Sequence, residues 1–290
     1  MVTQSQKEKA ELFLKLHQDK EILVLLNSWD PGSSKLIEAS GYKAIATTSM
    51  GIAASLGYPD CQAIPLIEMI NAIKSIVNKV QIPVTVDIEA GYGENLDEIC
   101  ESMKKIIATG IVGINIEDSI NLSPNLIDEA EFCERISAIR ALSDSLGFHL
   151  VINARTDAFL TSSGSSKNQL SESIKRGNKY REAGADCIFI PPVWEKEIIS
   201  ILVNEITAPI NIISNPKDGV GLPPNKSELQ NLGVARLSFG SGLMKSTLAL
   251  IKKIANELSE KGTYNILLDT LTPLPDTLIA YNMATGRNNK

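Results

Sequence analysis

Apolar and polar positions alternate from Val84 to Glu89, where Val84, Val86 and Ile88 interleave with Thr85, Asp87 and Glu89, the period of an extended strand. This parity predicts that Asp87 and Glu89 face one way. The same alternation runs through Gly113-Ile114-Asn115-Ile116-Glu117 and from His149 to Arg155, and each run closes on a charge at its carboxyl end. A single such acid is most often an ordinary strand-end or helix-cap residue. Three strands in phase point instead to a site where the strand ends converge.

Eight strand-like runs are legible, at 22–27, 43–49, 83–89, 111–117, 149–155, 187–190, 209–214 and 235–240. Helical segments at 33–39, 65–79, 95–109, 128–146, 171–183, 195–204, 226–232 and 241–259 separate or follow them. Strict alternation calls for crossover connections and a parallel sheet, and eight repeats close most naturally into a (β/α)8 TIM-type barrel. A doubly wound open sheet is the competitor. Gly41, Gly110, Gly184 and Gly233 each sit where a helix hands over to a strand and a left-handed residue is needed, and four matching joints favour the barrel.

In such barrels the loops after the strands form the catalytic face, which places Asp87, Glu89, Glu117 and Arg155 on one rim. Thr48 and Ser49, after the second strand, and Asp60, on the loop that follows, join them. Two ionised carboxylates about 5 Å apart repel by roughly 3 kcal/mol at an effective dielectric near 20, so the cluster predicts a bound cation. An all-oxygen set without histidine or thiol favours a hard ion, Mg2+ first and Mn2+ as a substitute.

The chain of 290 residues reads as one barrel domain, 1–290, with 262–290 as a C-terminal extension. A net charge of −6 with no dense Lys/Arg run argues against a nucleic-acid partner. Four scattered cysteines and two histidines suggest buried free thiols, with no disulfide framework and no zinc site. The first twenty residues are polar, and no later stretch has the apolar length of a membrane span. A soluble cytoplasmic protein without a membrane partner is expected.

The phrases NSWDPGSSKLIEASGYKAIATTSMGIAASLGYPD, VDIEAGYG, GINIEDS, INARTDAFL, GADCIFIPP and LGVARLSFGSGLM, in this order through more than three-quarters of the chain, resemble the isocitrate lyase and phosphoenolpyruvate mutase superfamily. The resemblance implies an α/β barrel that binds Mg2+ and an α-oxo or enolpyruvyl carboxylate, makes or breaks a C–C or P–C bond next to an enolate, and assembles as a tetramer. It implies that Asp87 contacts the ion most directly while Asp60, Glu89 and Glu117 hold its waters. Thr48, Ser49 and Met50 match the segment that binds the substrate carboxylate, and Arg155 the arginine that pairs with substrate oxygen. Asp87 also counts among the substrate-binding residues, and Arg155, Asp60 and Glu117 are the catalytic candidates. No organic cofactor is implied.

The departures from that family matter as much. Isocitrate and methylisocitrate lyases resemble one another in a mobile Lys-Lys-Cys-Gly-His loop, whereas residues 118–128 here contain no Lys, Cys or His. The mutase loop lysine and the histidine after the sixth strand are also missing. Decarboxylation of oxaloacetate needs only charge stabilisation of the enolate left behind, with water as proton source. The leading reading is therefore a Mg2+-dependent lyase of the oxaloacetate decarboxylase type, or a related C–C lyase of small α-oxo acids. Phosphoenolpyruvate mutase, phosphonopyruvate hydrolase or carboxyvinyl-carboxyphosphonate phosphorylmutase chemistry is the alternative, and a non-catalytic α-oxo acid binder the second.

Other features read as structural. Gly240-Ser241-Gly242 opens a helix, 161–167 is a surface loop, and His149 lies at the barrel floor. The apolar, proline-broken tail at 267–274 and a short helix near 276–283 match the helix that the family exchanges between subunits, so a homo-oligomer, dimer or tetramer, is expected.

Overall fold

The computed structural model describes residues 2–120, 125–160, 166–214 and 223–271. Helix α1 (Gln4–His17) leads into strands β1 (Leu23–Leu25) and β2 (Asn27–Ser28), then α2 (Pro31–Ala39), β3 (Ile45–Thr47), α3 (Ser49–Ser55), α4 (Leu66–Val77) and β4 (Val84–Asp87). Helix α5 (Leu96–Ile107), β5 (Gly113–Glu117), α6 (Glu129–Ser145), β6 (Val151–Arg155), α7 (Ser166–Glu182) and β7 (Cys187–Phe189) follow. The described chain ends with α8 (Lys196–Glu205), β8 (Ile210–Ile213), α9 (Lys226–Asn231), β9 (Arg236–Ser238), α10 (Gly242–Lys261) and α11 (Asn265–Thr270).

All neighbouring strands are parallel in the order β1-β9-β8-β7-β6-β5-β4-β3-β2. The first expected strand is broken at Leu26, so that β1 pairs with β9 and β2 with β3, and the two halves of one run close the barrel. Gly41, Gly110, Gly184 and Gly233 all have positive φ, which lets each helix end turn directly into the next strand.

The outward strand residues, among them Val84, Val86, Ile114, Ile116, Ile152, Ile188 and Ile212, pack in one core with Ile73, Ile99, Met103, Phe132, Ile136, Ile199 and Leu202 of the surrounding helices. The inward positions depart from the branched aliphatic layers usual in such barrels. Thr85, Asn115, Asn153, Asn211, Arg236 and Ser238 are buried polar residues, and they alternate with the apolar row that faces the helices. The lumen is polar.

Helix α1 closes the amino-terminal end. Its apolar and neutral positions Ala10, Phe13 and His17 recur at helical spacing and are buried. Phe13 presses against Gly113, where an added Cβ would lie 2.8 Å from Cε1. Gln6 donates through Nε2 to the carbonyls of Ile107 and Ile111 at 3.0 and 2.7 Å. The polar start expected at this end of the chain is a helix, marked by that spacing and by the Thr3 cap.

Three boundaries differ from the sequence reading for local reasons. The run 43–49 stops at Thr47, because Thr48 turns to cap α3 and accepts from the Gly51 amide. Helix α7 starts at Ser166, five residues early, while the rest of the expected loop 161–167 lies largely outside the described residues. The tail adds α11, and 276–283 falls outside the described residues. Cys187 is buried as expected for a core thiol, but Cys61, Cys100 and Cys133 are only partly so.

Candidate active site

Strand parity carries Asp87 to the carboxyl end of β4, where its two oxygens are shared between neighbouring elements. Oδ2 accepts from the amide and hydroxyl of Ser49 at 3.2 and 2.8 Å, and Oδ1 accepts from Asn115 Nδ2 at 3.1 Å. Thr48 and Ser49 thus reach the rim together, one as helix cap and the other bonded to Asp87, while Met50 lies half-buried behind them. Parity does not carry Glu89. The chain leaves the strand at Ile88, and Glu89 turns left-handed at φ 53° before its carboxylate accepts from the Gln62 amide.

Glu89 has company in this strain. The four non-glycine residues with positive φ among the described residues are Cys61, Gln62, Glu89 and Tyr92, and all lie where the loop after α3 folds onto the turn after β4. Such conformations persist when the surroundings over-determine them, and they cluster at functional sites. The Gln62 side chain accepts from the Tyr92 amide at 3.0 Å, which locks the two turns together.

Glu117, at the end of β5, pairs with Arg155, at the end of β6, at 2.7 Å. Arg155 also grips Asp157 with two donors, Nε at 2.5 Å and Nη2 at 3.0 Å, a bidentate geometry that fixes the guanidinium plane. Ser119 donates to Asp157 at 2.6 Å. Asp157, Ser119 and Asn115 escaped the sequence reading as site residues, although Asn115 shares the parity of Glu117 and Asp157 that of Arg155.

Ser49, Asp60, Cys61, Glu89, Glu117 and Arg155 line one cavity of about 60 Å³, and Asp87 lines a second of about 120 Å³ that shares Arg155 with it. The four expected acids therefore face adjoining space. Burial and the charges of Asp87, Asp60 and Glu117 push the Glu89 carboxyl up to about 8. Burial likewise raises Glu117 to about 8 despite Arg155, with Asp87 and Asp157 adding to the rise. Asp60 is raised by burial and by Asp87. The Cys61 thiol, expected to be an ordinary core thiol, stands in the small cavity, and burial and the same acids hold it above its usual range.

Among the described residues no group of three acids, histidines or cysteines is placed to hold a metal ion directly. The donor set still fits a hard cation: all four acids present oxygen, their mutual repulsion is what an ion relieves, and the cavity has room for an ion and a few waters.

The chain is a parallel barrel with an acidic pocket and a clamped arginine at its carboxyl rim, and the relatives it matches by name are lyases and a phosphomutase. The chain belongs to the phosphoenolpyruvate phosphomutase family, whose family model matches residues 13–259. It is 33% identical over 229 residues to an uncharacterized Mycobacterium tuberculosis protein, spanning 79% of this chain and 81% of that one. It is 27% identical over 289 residues to the 2,3-dimethylmalate lyase of Eubacterium barkeri, spanning 92% and 96%. The structure of oxaloacetate acetylhydrolase in complex with the product oxalate superposes with a TM-score of 0.82 at 25% identity, covering 94% of each chain.

Proposed function

We propose that this chain is a Mg2+-dependent lyase that cleaves a C–C bond of a small α-oxo carboxylic acid through an enolate, with oxaloacetate as the reference substrate. The observation that carries this reading is the convergence of Asp60, Asp87, Glu89 and Glu117 with the clamped Arg155 on adjoining cavities. Mg2+ in this pocket would supply Lewis-acid stabilisation of negative charge on the substrate's carboxylate and keto oxygens. Asp87, held by Ser49 and Asn115, is the acid aimed to hold it. Glu89, Glu117 and Asp60 would hold its waters, Thr48, Ser49 and Met50 would border the substrate carboxylate, and Arg155 would donate to substrate oxygen. Glu117 and Asp157 keep that guanidinium in one plane, so little orientation entropy remains to be lost on binding.

The loop after β5 offers no Lys, Cys or His, which favours cleavages that leave protonation of the enolate to water. Loss of CO2 from oxaloacetate gives pyruvate, and addition of water gives oxalate and acetate. The chemistry is tested by incubating oxaloacetate with the Mg2+-loaded protein and following CO2, pyruvate and oxalate against the chelated control. Metal-dependent release of any of them above the metal-only rate supports the reading, and equal rates overturn it. Phosphonopyruvate, followed for phosphoenolpyruvate, pyruvate and inorganic phosphate, covers the second reading, P–C bond chemistry, which the family model favours by name. Tight oxalate binding without turnover of either compound would make the protein a non-catalytic binder.

We read the protein as a cytoplasmic homo-oligomer, a dimer or tetramer. Supporting this, α10 and the segment after it expose Leu248, Ile251, Leu258, Leu268 and Leu271, an apolar row that a lone barrel leaves in water. Among the described residues no helix is long and apolar enough to cross a membrane.

A further inference from the structure

The cavity of about 120 Å³ runs from the rim into the lumen. Asp87, Arg155 and Gly240 stand at strand ends around its mouth, and Asn211 and Arg236 line its deeper part. Arg236 is the first residue of β9 and is only 2% exposed. Among the described residues no carboxylate pairs with it. Its Nη1 lies 3.5 Å from His17 Nε2, at the limit of a hydrogen bond, and its Nε has no partner at all. His17 cannot balance the charge. The Nδ1 of that imidazole bonds to the Phe13 carbonyl at 2.8 Å, and burial and Arg236 hold its pKa down at about 4, so the ring is neutral. Burial lowers the guanidinium itself only to about 10, leaving a cation at neutral pH.

A buried arginine is ordinarily paired, because an uncompensated charge in low dielectric is costly. Arg155, which lines the same cavity, shows the usual solution with two carboxylates. Arg236 has no carboxylate within salt-bridge distance, only the more distant charge of Asp87, and two other atoms of the same cavity lining, Thr85 Oγ1 and Asn211 Oδ1, are likewise buried without partners. The Asn211 amide bonds to Ser238 Oγ at 3.2 Å. Turned over, it would accept from that hydroxyl and present its NH2 to the cavity, since the two ends of an amide are assigned and not seen.

We propose that Arg236, with Asn211 and Ser238, forms a subsite in the barrel lumen for a second carboxylate, so that the α-oxo acid taken by this chain is a short dicarboxylate whose far end points down the barrel. This rests on the α-oxo acid reading above and assigns the recognition of the distal carboxylate to the lumen, where a bidentate guanidinium contact supplies the missing counter-charge.

Binding separates this subsite from the chemistry. Malate and lactate differ by one carboxylate, and two-carbon oxalate serves as the reference for binding at the rim. Calorimetry on the Mg2+-loaded protein is expected to give malate at least tenfold tighter binding than lactate. Arg236→Gln should erase that preference while leaving the oxalate Kd within threefold, and Arg236→Lys should restore part of it. Equal binding of malate and lactate by the parent overturns the proposal, and so does a folded Arg236→Gln protein that weakens oxalate and malate alike, which would make the arginine a remote balance for the acidic rim. If Arg236→Gln does not give a cooperative melt, Ser238→Val narrows the same cavity with the charge kept. It must weaken malate and spare oxalate, and unchanged malate binding overturns the subsite. Absence of oxaloacetate turnover with the malate preference intact would sink the proposed reaction and leave the subsite standing.

Discussion

At the scale of single residues, Asp87 and the pair Glu89 and Glu117 do different work. Asp87 is tied by Ser49 to the start of α3 and by Asn115 to the middle of β5, yet it faces a cavity and not the core, so Asp87→Ala should leave the melting temperature of the metal-free protein nearly unchanged and abolish Mg2+ binding by calorimetry. Unaltered Mg2+ affinity would exclude it as the principal ligand. Glu89 and Glu117, raised from 4.5 to about 8, keep protons in the folded protein where the unfolded chain has released them. The unfolded state then binds fewer protons, and stability falls as pH rises. Without metal, the contribution is fully present below about pH 4.5 and is lost as pH climbs through about 8. A thermal melt of the chelated protein should therefore drop between pH 5 and 8, and Mg2+ should raise the melting temperature more at pH 8 than at pH 6. A flat profile would mean that the two acids are not under repulsion. Asp87, Glu117 and Arg155 were legible because period-two alternation fixes the direction of a strand residue. Glu89 reached the same site by a left-handed turn that no parity argument contains, and Asp157 lay two residues past a residue already chosen.

At the scale of elements, the eightfold alternation was legible because each unit carries its own punctuation: a capped helix, a left-handed glycine, and an apolar outward row. Helix α1 was not, since only Ala10, Phe13 and Leu16 of its face are apolar and its purpose, plugging a polar lumen, appears only once the barrel is closed. The plug and the lumen meet at Gly113. A Cβ there would stand 2.8 Å from Phe13 Cε1, 2.9 Å from Thr85 Oγ1 and 3.1 Å from the Val151 carbonyl, so relief in one direction creates a clash in another. Gly113→Ala should cost about 1–3 kcal/mol, the usual range for overpacking a filled interior, read as a lower urea midpoint at unchanged slope. Oxalate affinity should move little, because Gly113 opens β5 and the site lies at its other end.

At the scale of the whole molecule, the barrel gathers acids at one end and leaves the loop after β5 without a side chain that titrates near neutrality as a donor to a departing carbanion. Cleavage of isocitrate or methylisocitrate needs a base for the hydroxyl and an acid for the carbanion. Ser119 is committed to Asp157 at 2.6 Å, and an unassisted serine hydroxyl is a poor proton shuttle at pH 7. Residues 121–124, outside the described part, read Asn-Leu-Ser-Pro and add no better group. The relatives that carry the name 2-methylisocitrate lyase stand at 25–26% identity, far enough for the loop chemistry to differ while the barrel persists. The expected outcome is that neither tricarboxylate yields glyoxylate or pyruvate at ordinary enzymatic rates, on the order of 1 s⁻¹ or faster, with the same preparation acting on oxaloacetate in the presence of Mg2+. Rapid cleavage of either would show that another group donates the proton. The raised Glu117 carboxyl and the Cys61 thiol, both in the small acidic cavity, would then be the first to replace, and loss of that cleavage in Glu117→Gln or in Cys61→Ala would assign the donor.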